Sequence, residues 1–177
     1  MAVTQFEITS RRPLANGKSF GDVGQYEEVR GILRYAVDPE NPANSTITDI
    51  DLAPRNSAGQ VEFAADVHVM RPVDASKGRN TIVYDVLNRG NKVMLGMFND
   101  AVPAVVSGDE DPPTDVGNGF LMRHGYTAVW CGWSPDAPRL AGRMKLYAPE
   151  AIDRGMPITG KIFSQFQPMT RVRHLRL

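Results

Sequence analysis

Apolar and polar residues alternate along three segments in the first part of the chain. In residues 28–37, 46–53 and 60–70, apolar side chains recur at every second position and charged ones lie mainly between them. Period-two alternation is typical of strands with one buried face and one wet face. The pattern therefore predicts three strands that pair as an antiparallel meander, joined by turns at residues 38–45 and 54–59.

The middle of the chain has a different pattern. Residues 80–88 and 126–133 are short apolar runs bounded by turn formers, which predicts strands buried on both faces. Apolar residues at helical spacing predict short helices at residues 92–99 and 118–124. Buried strand, glycine turn, helix and buried strand form the βαβ pattern of the α/β class. A further strand is predicted at residues 157–168.

Composition narrows the class of protein. The 177 residues are enough for one domain with a real core, and Lys+Arg balance Asp+Glu at 20 each. This balance gives no indication of a nucleic-acid partner. No apolar run has the length of a signal peptide or a membrane span. We therefore expect a cytoplasmic protein of one domain over residues 1–177, without a membrane partner.

The turn after the first buried strand is the main candidate for chemistry. Asn88, Arg89, Gly90 and Asn91 lie where a strand ends and a helix begins. In open α/β sheets ligands bind at that edge, and backbone N–H groups at a helix start stabilise an anion. The alternative is a tight strand-to-helix turn with Gly90 at positive φ and no ligand.

Two other motifs only partly match known sites. The GKS at residues 17–19 lacks the earlier glycine of a phosphate loop, because position 12 is Arg. Ser134 lies in G-W-S-P-D, which lacks the final glycine of a nucleophile elbow, and Pro135 removes the N–H expected of an oxyanion donor. A turn and a loop serine are the interpretations that the residues favour.

The remaining reactive residues show no catalytic or metal-binding arrangement. His68, His124 and His174 have no spacing that indicates a triad, so each is interpreted as structural or solvated. Cys131 lies inside a predicted buried strand, where a thiol acts as a small hydrophobe. The acidic loop at residues 109–115 lacks the ligand order of a calcium site. No metal and no cofactor are predicted.

Several segments together resemble a known family. They are SFGDVGQYEEVRGILRYAVDPENPAN, DLAPRNSAGQVEFAADVHVMRPVD, VYDVLNRGNK, FND, GFLMRHGYTAVWCGW and PITGKI. In combination they resemble the N-terminal part of the bacterial α/β-hydrolase domain-containing proteins, which are esterase-like and much longer than this chain. The resemblance extends from about residue 6 to about residue 170. It implies an α/β-hydrolase fold with an antiparallel start that leads into a mostly parallel sheet.

The resemblance also implies a function. In such enzymes a Ser nucleophile, an acid and a His follow in that order along the chain, and the substrate is a small ester or related acyl compound. The loop after the first buried strand supplies an oxyanion N–H. That role falls on Gly90 and Asn91, with Asn88 and Arg89 beside them.

The chain departs from the family at the catalytic residues. No G-x-S-x-G elbow and no matching His are present, so the triad is assigned to no residue here. We expect a truncated N-terminal segment of a serine hydrolase that is inactive as supplied. The alternative is a non-catalytic, β-rich module that binds a ligand or a protein. The substrate and the oligomeric state are not predicted.

Overall fold

The computed structural model describes residues 2–102, 113–161 and 163. Within them the chain forms nine strands and two short α-helices. The strands are β1 (Ala2–Pro13), β2 (Ser19–Phe20), β3 (Gly24–Val37), β4 (Val61–Pro72), β5 (Ile82–Asp85), β6 (Thr127–Cys131), β7 (Leu146–Tyr147), β8 (Ile152–Asp153) and β9 (Met156–Pro157). The helices are α1 (Met94–Asn99) and α2 (Phe120–Arg123).

Seven of these strands form one mixed sheet. Its main order is β1-β3-β4-β6-β5, with β2 beside β3 and β7 beside β4. Pairing is antiparallel except between β5 and β6, which run parallel and are joined through α1 and α2. A parallel pair needs a crossover connection, and the two helices are part of it. The strand-rich, mixed sheet with few helices confirms the predicted α/β class.

The predicted meander is wrong in its middle strand. Residues 46–53 form turns and a 3₁₀ turn at Ile50–Leu52, and β3 pairs directly with β4. Asp49 has a left-handed backbone, with φ of 56°, which interrupts an extended conformation. Ile50 packs with Val37 and Val61 at one end of the sheet. Within that turn only the Ile50 side chain is buried. The alternation of apolar and polar residues over 46–53 therefore did not indicate a strand.

The long strand β1 was not predicted. It pairs with β3 along its length, with register shifts near Val3 and near Ile8. Such shifts change which face a side chain occupies, so they blur the two-residue period. Ion pairs of Arg11 with Glu27 and of Arg34 with Glu7 join the two strands.

The strand predicted at residues 80–88 is not buried on both faces. β5 lies at the edge of the sheet, and Ile82 and Tyr84 are 65% and 50% exposed. Within β5, Asp85 is buried and Val83 is half-buried. By contrast, α1, α2 and β6 confirm the predictions for residues 92–99, 118–124 and 126–133.

The main core lies on the sheet face that carries both helices. It contains Leu14, Phe20, Tyr26, Met70, Leu87, Met94, Val116, Leu121, Met122, Ala128, Trp130 and Met144. The opposite face carries Val29 and Val67, which are buried near its centre. Large apolar residues toward its two edges are exposed: Val3, Phe6 and Ile8 on β1, and Ile82 and Tyr84 on β5. The sheet is therefore fully packed on one face only.

Some predictions concern residues outside the described ranges. They include the acidic residues Asp109, Glu110 and Asp111, His174, and half of the strand predicted at residues 157–168, of which the described residues 158–161 are not in a strand. Of that strand, Pro157 ends β9, which pairs with β8 as a short hairpin. In the part of the chain that the structure describes, both α-helices are far too short to cross a bilayer.

Candidate functional site

A cavity of about 390 Å³ lies against β1, β3 and β4 and borders Lys92 and residues 142–144, which follow the carboxyl ends of the parallel strands β5 and β6 in the chain. Side chains from β1, β3 and β4 line it together with Lys92 and the segment 142–144. The carboxyl ends of parallel strands are where ligands bind in open α/β sheets, and the volume is within the usual range of ligand pockets. The cavity is therefore the candidate site.

The buried carboxylate of Glu28 organises the inner wall of this cavity. Glu28 is only 3% exposed and accepts hydrogen bonds from the Arg12 guanidinium and from Thr114 Oγ1, the latter at 2.9 Å. Arg30 Nη2 lies 3.5 Å from its Oε2. Burial acts to raise the pKa of Glu28, but hydrogen bonds from His68, Arg12 and Thr114 and the charge of Arg30 bring the pKa below its usual value. Glu28 is thus an ionised, fully partnered group.

His68 lies between a carboxylate and an ammonium group. Its Nε2 is 3.1 Å from Glu28 Oε2, and its Nδ1 is 2.9 Å from Lys92 Nζ. Burial lowers the pKa of His68 to about 4; the hydrogen bond to Glu28 opposes this shift, and the charges of Lys92 and Arg30 add to it. A neutral imidazole has one donor and one acceptor nitrogen. The geometry fits Nε2–H donating to Glu28 and Nδ1 accepting from Lys92, which fixes the Lys92 ammonium at the cavity wall.

Trp130 contacts the histidine ring, and Asp85 in turn fixes the position of Trp130. The Trp130 ring stacks on His68 at 5.0 Å between centroids, and Lys92 Nζ lies 5.7 Å from the Trp130 ring. Asp85 Oδ2 accepts from Trp130 Nε1 at 2.7 Å and from the N–H groups of Val93 and Met94, both at 2.9 Å. Asp85 therefore ties β5 to β6 and to the start of α1, directly after Lys92.

The predicted oxyanion loop forms a tight turn beside the cavity. The Asn88 carbonyl accepts from Asn91 N at 3.1 Å and from Asn91 Nδ2 at 3.0 Å. Arg89 pairs with Asp136 at 3.2 Å, and both Arg89 and Gly90 have positive φ. Asn91 lines a second cavity that adjoins the first. The four residues are thus together at the predicted edge, and the oxyanion role itself stays a prediction.

Residues 142–145 pack closely against Gly90 and Gly132, which follow β5 and β6, because these two residues have no side chain. A Cβ at Gly90 would lie 2.7 Å from the Met144 carbonyl oxygen, and one at Gly132 would lie 2.2 Å from the Lys145 oxygen. The Met144 N–H donates to the Gly90 carbonyl at 3.1 Å, and Arg143 Nη1 donates to the Arg89 carbonyl at 3.1 Å. This close packing places Arg143 at the cavity wall.

Asp66 closes the cavity on the β4 side. Its Oδ2 accepts from the Lys145 N–H at 2.7 Å, and its Oδ1 accepts from the Tyr147 hydroxyl at 3.1 Å. These bonds join β4 to β7 and complete the wall of the cavity.

Other reactive residues named from the sequence lie away from this network. Ser134 lies in the loop after β6, as expected, and its hydroxyl donates to Asp136. Cys131 lies within β6 beside the Tyr35 hydroxyl, and burial raises the pKa of its thiol. His124 packs against Phe120 at the end of α2.

The larger adjoining cavity has a volume of about 540 Å³ and a different lining. It shares Arg30, Lys92, Gly142 and Arg143 with the first cavity. Its other walls include the apolar side chains of Val93, Leu95, Met97, Val102 and Leu140. A charged cavity and an apolar one therefore meet at Lys92 and Arg143.

Glu28, His68 and Lys92 were not identified as a site from the sequence. Glu28 and His68 occupy alternate positions that were interpreted as the wet faces of their strands. The structure buries that face under α1 and α2. A usable signal was present, because Tyr26 and Met70 have the same parity as Glu28 and His68, respectively, and large apolar residues indicate a buried face.

The fold and the site define a strand-rich α/β protein with a cationic cavity against β1, β3 and β4. No protein-family model, curated protein or solved structure matches the chain. Within the described ranges, His, Cys, Asp and Glu residues form no group of three arranged to hold a metal ion.

Proposed function

We propose that the chain is the N-terminal part of a serine α/β-hydrolase whose complete form cleaves an ester or a related acyl bond. The observation that supports this proposal is the β5–turn–α1–α2–β6 unit, with residues 88–91 at the carboxyl end of β5. An antiparallel start, β3 and β4, precedes this parallel pair. This is the order of elements that the family resemblance implies.

The proposed mechanism assigns only a supporting role to the residues of this chain. The complete enzyme would acylate a serine and release the acid by attack of water. The turn at Gly90 and Asn91 would stabilise the oxyanion. In the structure Asn91 N–H donates to Asn88, so this role requires the turn to open or the Gly90 N–H to act. Ser134 is not proposed as the nucleophile, because its hydroxyl donates to Asp136 in a loop.

The first test is an activity assay on the pure 177-residue chain. We expect p-nitrophenyl acetate hydrolysis no faster than a buffer blank, and the same rate for the Ser134→Ala variant. Turnover by the native chain that Ser134→Ala abolishes would contradict the assignment of the triad to residues outside this chain.

The second test addresses the hydrolase class itself. The reading frame beyond the Leu177 codon should encode a G-x-S-x-G motif and a later His. A protein expressed from that frame should react with a fluorophosphonate probe at the motif serine. A stop codon directly after Leu177 would contradict the hydrolase proposal.

A non-catalytic ligand-binding module is the second candidate. The cationic cavity around Lys92 and the adjoining apolar cavity favour it, because ligand binding in such cavities requires no nucleophile. A monodisperse 177-residue product with a measurable ligand affinity, together with a stop codon after Leu177, would favour this candidate over the hydrolase.

A further inference from the structure

The lining of the smaller cavity is dominated by positive charge. Among the residues that the structure describes, the cationic side chains at its wall are Arg12, Arg30, Lys92 and Arg143. The carboxylate at its wall is Asp66, which is engaged by Lys145 N–H and the Tyr147 hydroxyl. Glu28 lies behind this wall and offsets the charges of Arg12 and Arg30. An excess of positive charge in a concave, partly dry site favours an anion.

His68 makes Lys92 a fixed part of this wall. Because burial keeps the imidazole neutral, Nδ1 accepts from Lys92 Nζ at 2.9 Å and adds no opposing positive charge. The Trp130 ring, which stacks on His68, also lies near the ammonium, with 5.7 Å from Nζ to the ring centroid. A preorganised ammonium loses less conformational freedom on binding than a mobile surface lysine.

The adjoining cavity indicates what the anion carries. It begins at the same Lys92 and Arg143, and continues along Leu95, Met97 and Leu140. A bare phosphate or sulfate would use the charged cavity and leave the apolar walls in water. A ligand with one charged end and one apolar end would contact both.

We propose that the two cavities together bind one monocarboxylate with an apolar chain, such as a medium-chain fatty acid. Lys92 and Arg143 hold the carboxylate, and the chain lies along Leu95, Met97 and Leu140. Arginine binds carboxylates through two parallel N–H bonds, and lysine does so as a point charge. The proposal involves no covalent step and does not depend on the hydrolase proposal.

The test is titration of the full chain with sodium octanoate by isothermal calorimetry at low salt. We expect saturable binding of one molecule per chain. Butanoate should bind at least about tenfold more weakly, because each buried methylene strengthens binding several-fold. Octanol and inorganic phosphate, each of which lacks one of the two features, should bind more weakly than octanoate.

Variants test the contributions of the charged cavity and of the apolar cavity separately. Lys92→Met should weaken octanoate binding by about tenfold or more, whereas Lys77→Met, an exposed lysine outside both cavities, should leave it unchanged. Leu140→Asn should weaken octanoate and leave butanoate nearly unaffected. Leu52→Asn is the matched control, because Leu52 is exposed and lines neither cavity.

If Lys92→Met fails to fold, Arg143→Met serves as the charge variant, and octanoate should still shift amide resonances near residues 92 and 143 in the native chain. The proposal is overturned if octanoate shows no saturable binding, if phosphate binds as tightly, or if neither charge variant changes the affinity. Binding of octanoate without esterase activity in the longer protein would contradict the hydrolase proposal alone.

Discussion

Burial keeps the His68 imidazole neutral between the Glu28 carboxylate and the Lys92 ammonium. The three groups form a chain of hydrogen bonds with 3.1 Å between His68 Nε2 and Glu28 Oε2, and 2.9 Å between Lys92 Nζ and His68 Nδ1. Such buried polar networks stabilise only when each member is satisfied. Protonation of His68 would place a proton where Lys92 now donates, so this network is sensitive to pH.

The stability of the protein should fall as pH drops through the range set by His68. The pKa is about 4 in the folded chain and 6.5 ordinarily, so the unfolded chain binds more protons between those values. The contribution is fully present above pH 6.5 and is lost toward pH 4, with a slope on the order of 1 kcal/mol per pH unit. Urea denaturation at several pH values between 4.5 and 6.5 measures it.

His68→Gln should remove most of this slope, because an amide does not titrate. The control is His124→Gln at the exposed end of α2, which should keep the slope of the native chain. Equal slopes for His68→Gln and the native chain would show that His68 is not the titrating group.

Gly90 decides how the turn after β5 packs against its neighbours. Its φ is +83°, a conformation that other residues adopt only with strain. A Cβ there would also lie 2.7 Å from the Met144 oxygen. The glycine after the apolar run predicted the turn correctly. The packing of segment 142–145 against it could not be predicted, because the partner is more than fifty residues away.

Gly90→Ala should destabilise the fold by about 2 kcal/mol or more, since left-handed strain and the contact with Met144 add. The free energy of unfolding from urea titration at neutral pH measures this change. Gly160→Ala is the control, because Gly160 has nothing within 4 Å of its Cβ position, and it should change stability by less than about 0.5 kcal/mol. Similar changes in the free energy of unfolding for both variants would mean that the turn adjusts to a side chain at position 90 without loss of stability.

β5 shows that the local sequence predicted a strand but not the burial of that strand. The apolar run 82–87 predicted a strand, and β5 is present at Ile82–Asp85. The same run predicted burial of both faces, yet Ile82 and Tyr84 are exposed at the sheet edge. Whether an apolar strand is buried depends on what lies beside it, and the local pattern does not contain that information.

One face of the sheet exposes large apolar side chains on both edge strands, β1 and β5. On β1 these residues are Val3, Phe6 and Ile8, and on β5 they are Ile82 and Tyr84. Large apolar patches and open sheet edges favour contact with another molecule. We therefore expect the isolated chain to associate as its concentration rises.

The double variant Ile82→Lys with Tyr84→Lys should reduce this association, because charged residues on an edge strand oppose pairing between sheets. Sedimentation velocity over a range of protein concentrations gives the measurement. Met156→Lys, an exposed apolar residue in the β8–β9 hairpin, is the matched control and should not reduce association. A native chain that sediments as a monomer at every concentration would contradict the expectation.

The sequence by itself determined the α/β class, the two short helices, the strands β3, β4, β5 and β6, and the turn at residues 88–91. These features depend on residues close together in the chain, such as two-residue alternation and a glycine after an apolar run. Only the tertiary structure showed which face of β3 and β4 is buried, and that Glu28, His68 and Lys92 meet. Forty residues separate Glu28 from His68, so their contact depends on the register of β3 with β4. The helices pack on that face, and the polar row that the alternation assigned to solvent forms part of the wall of a cavity.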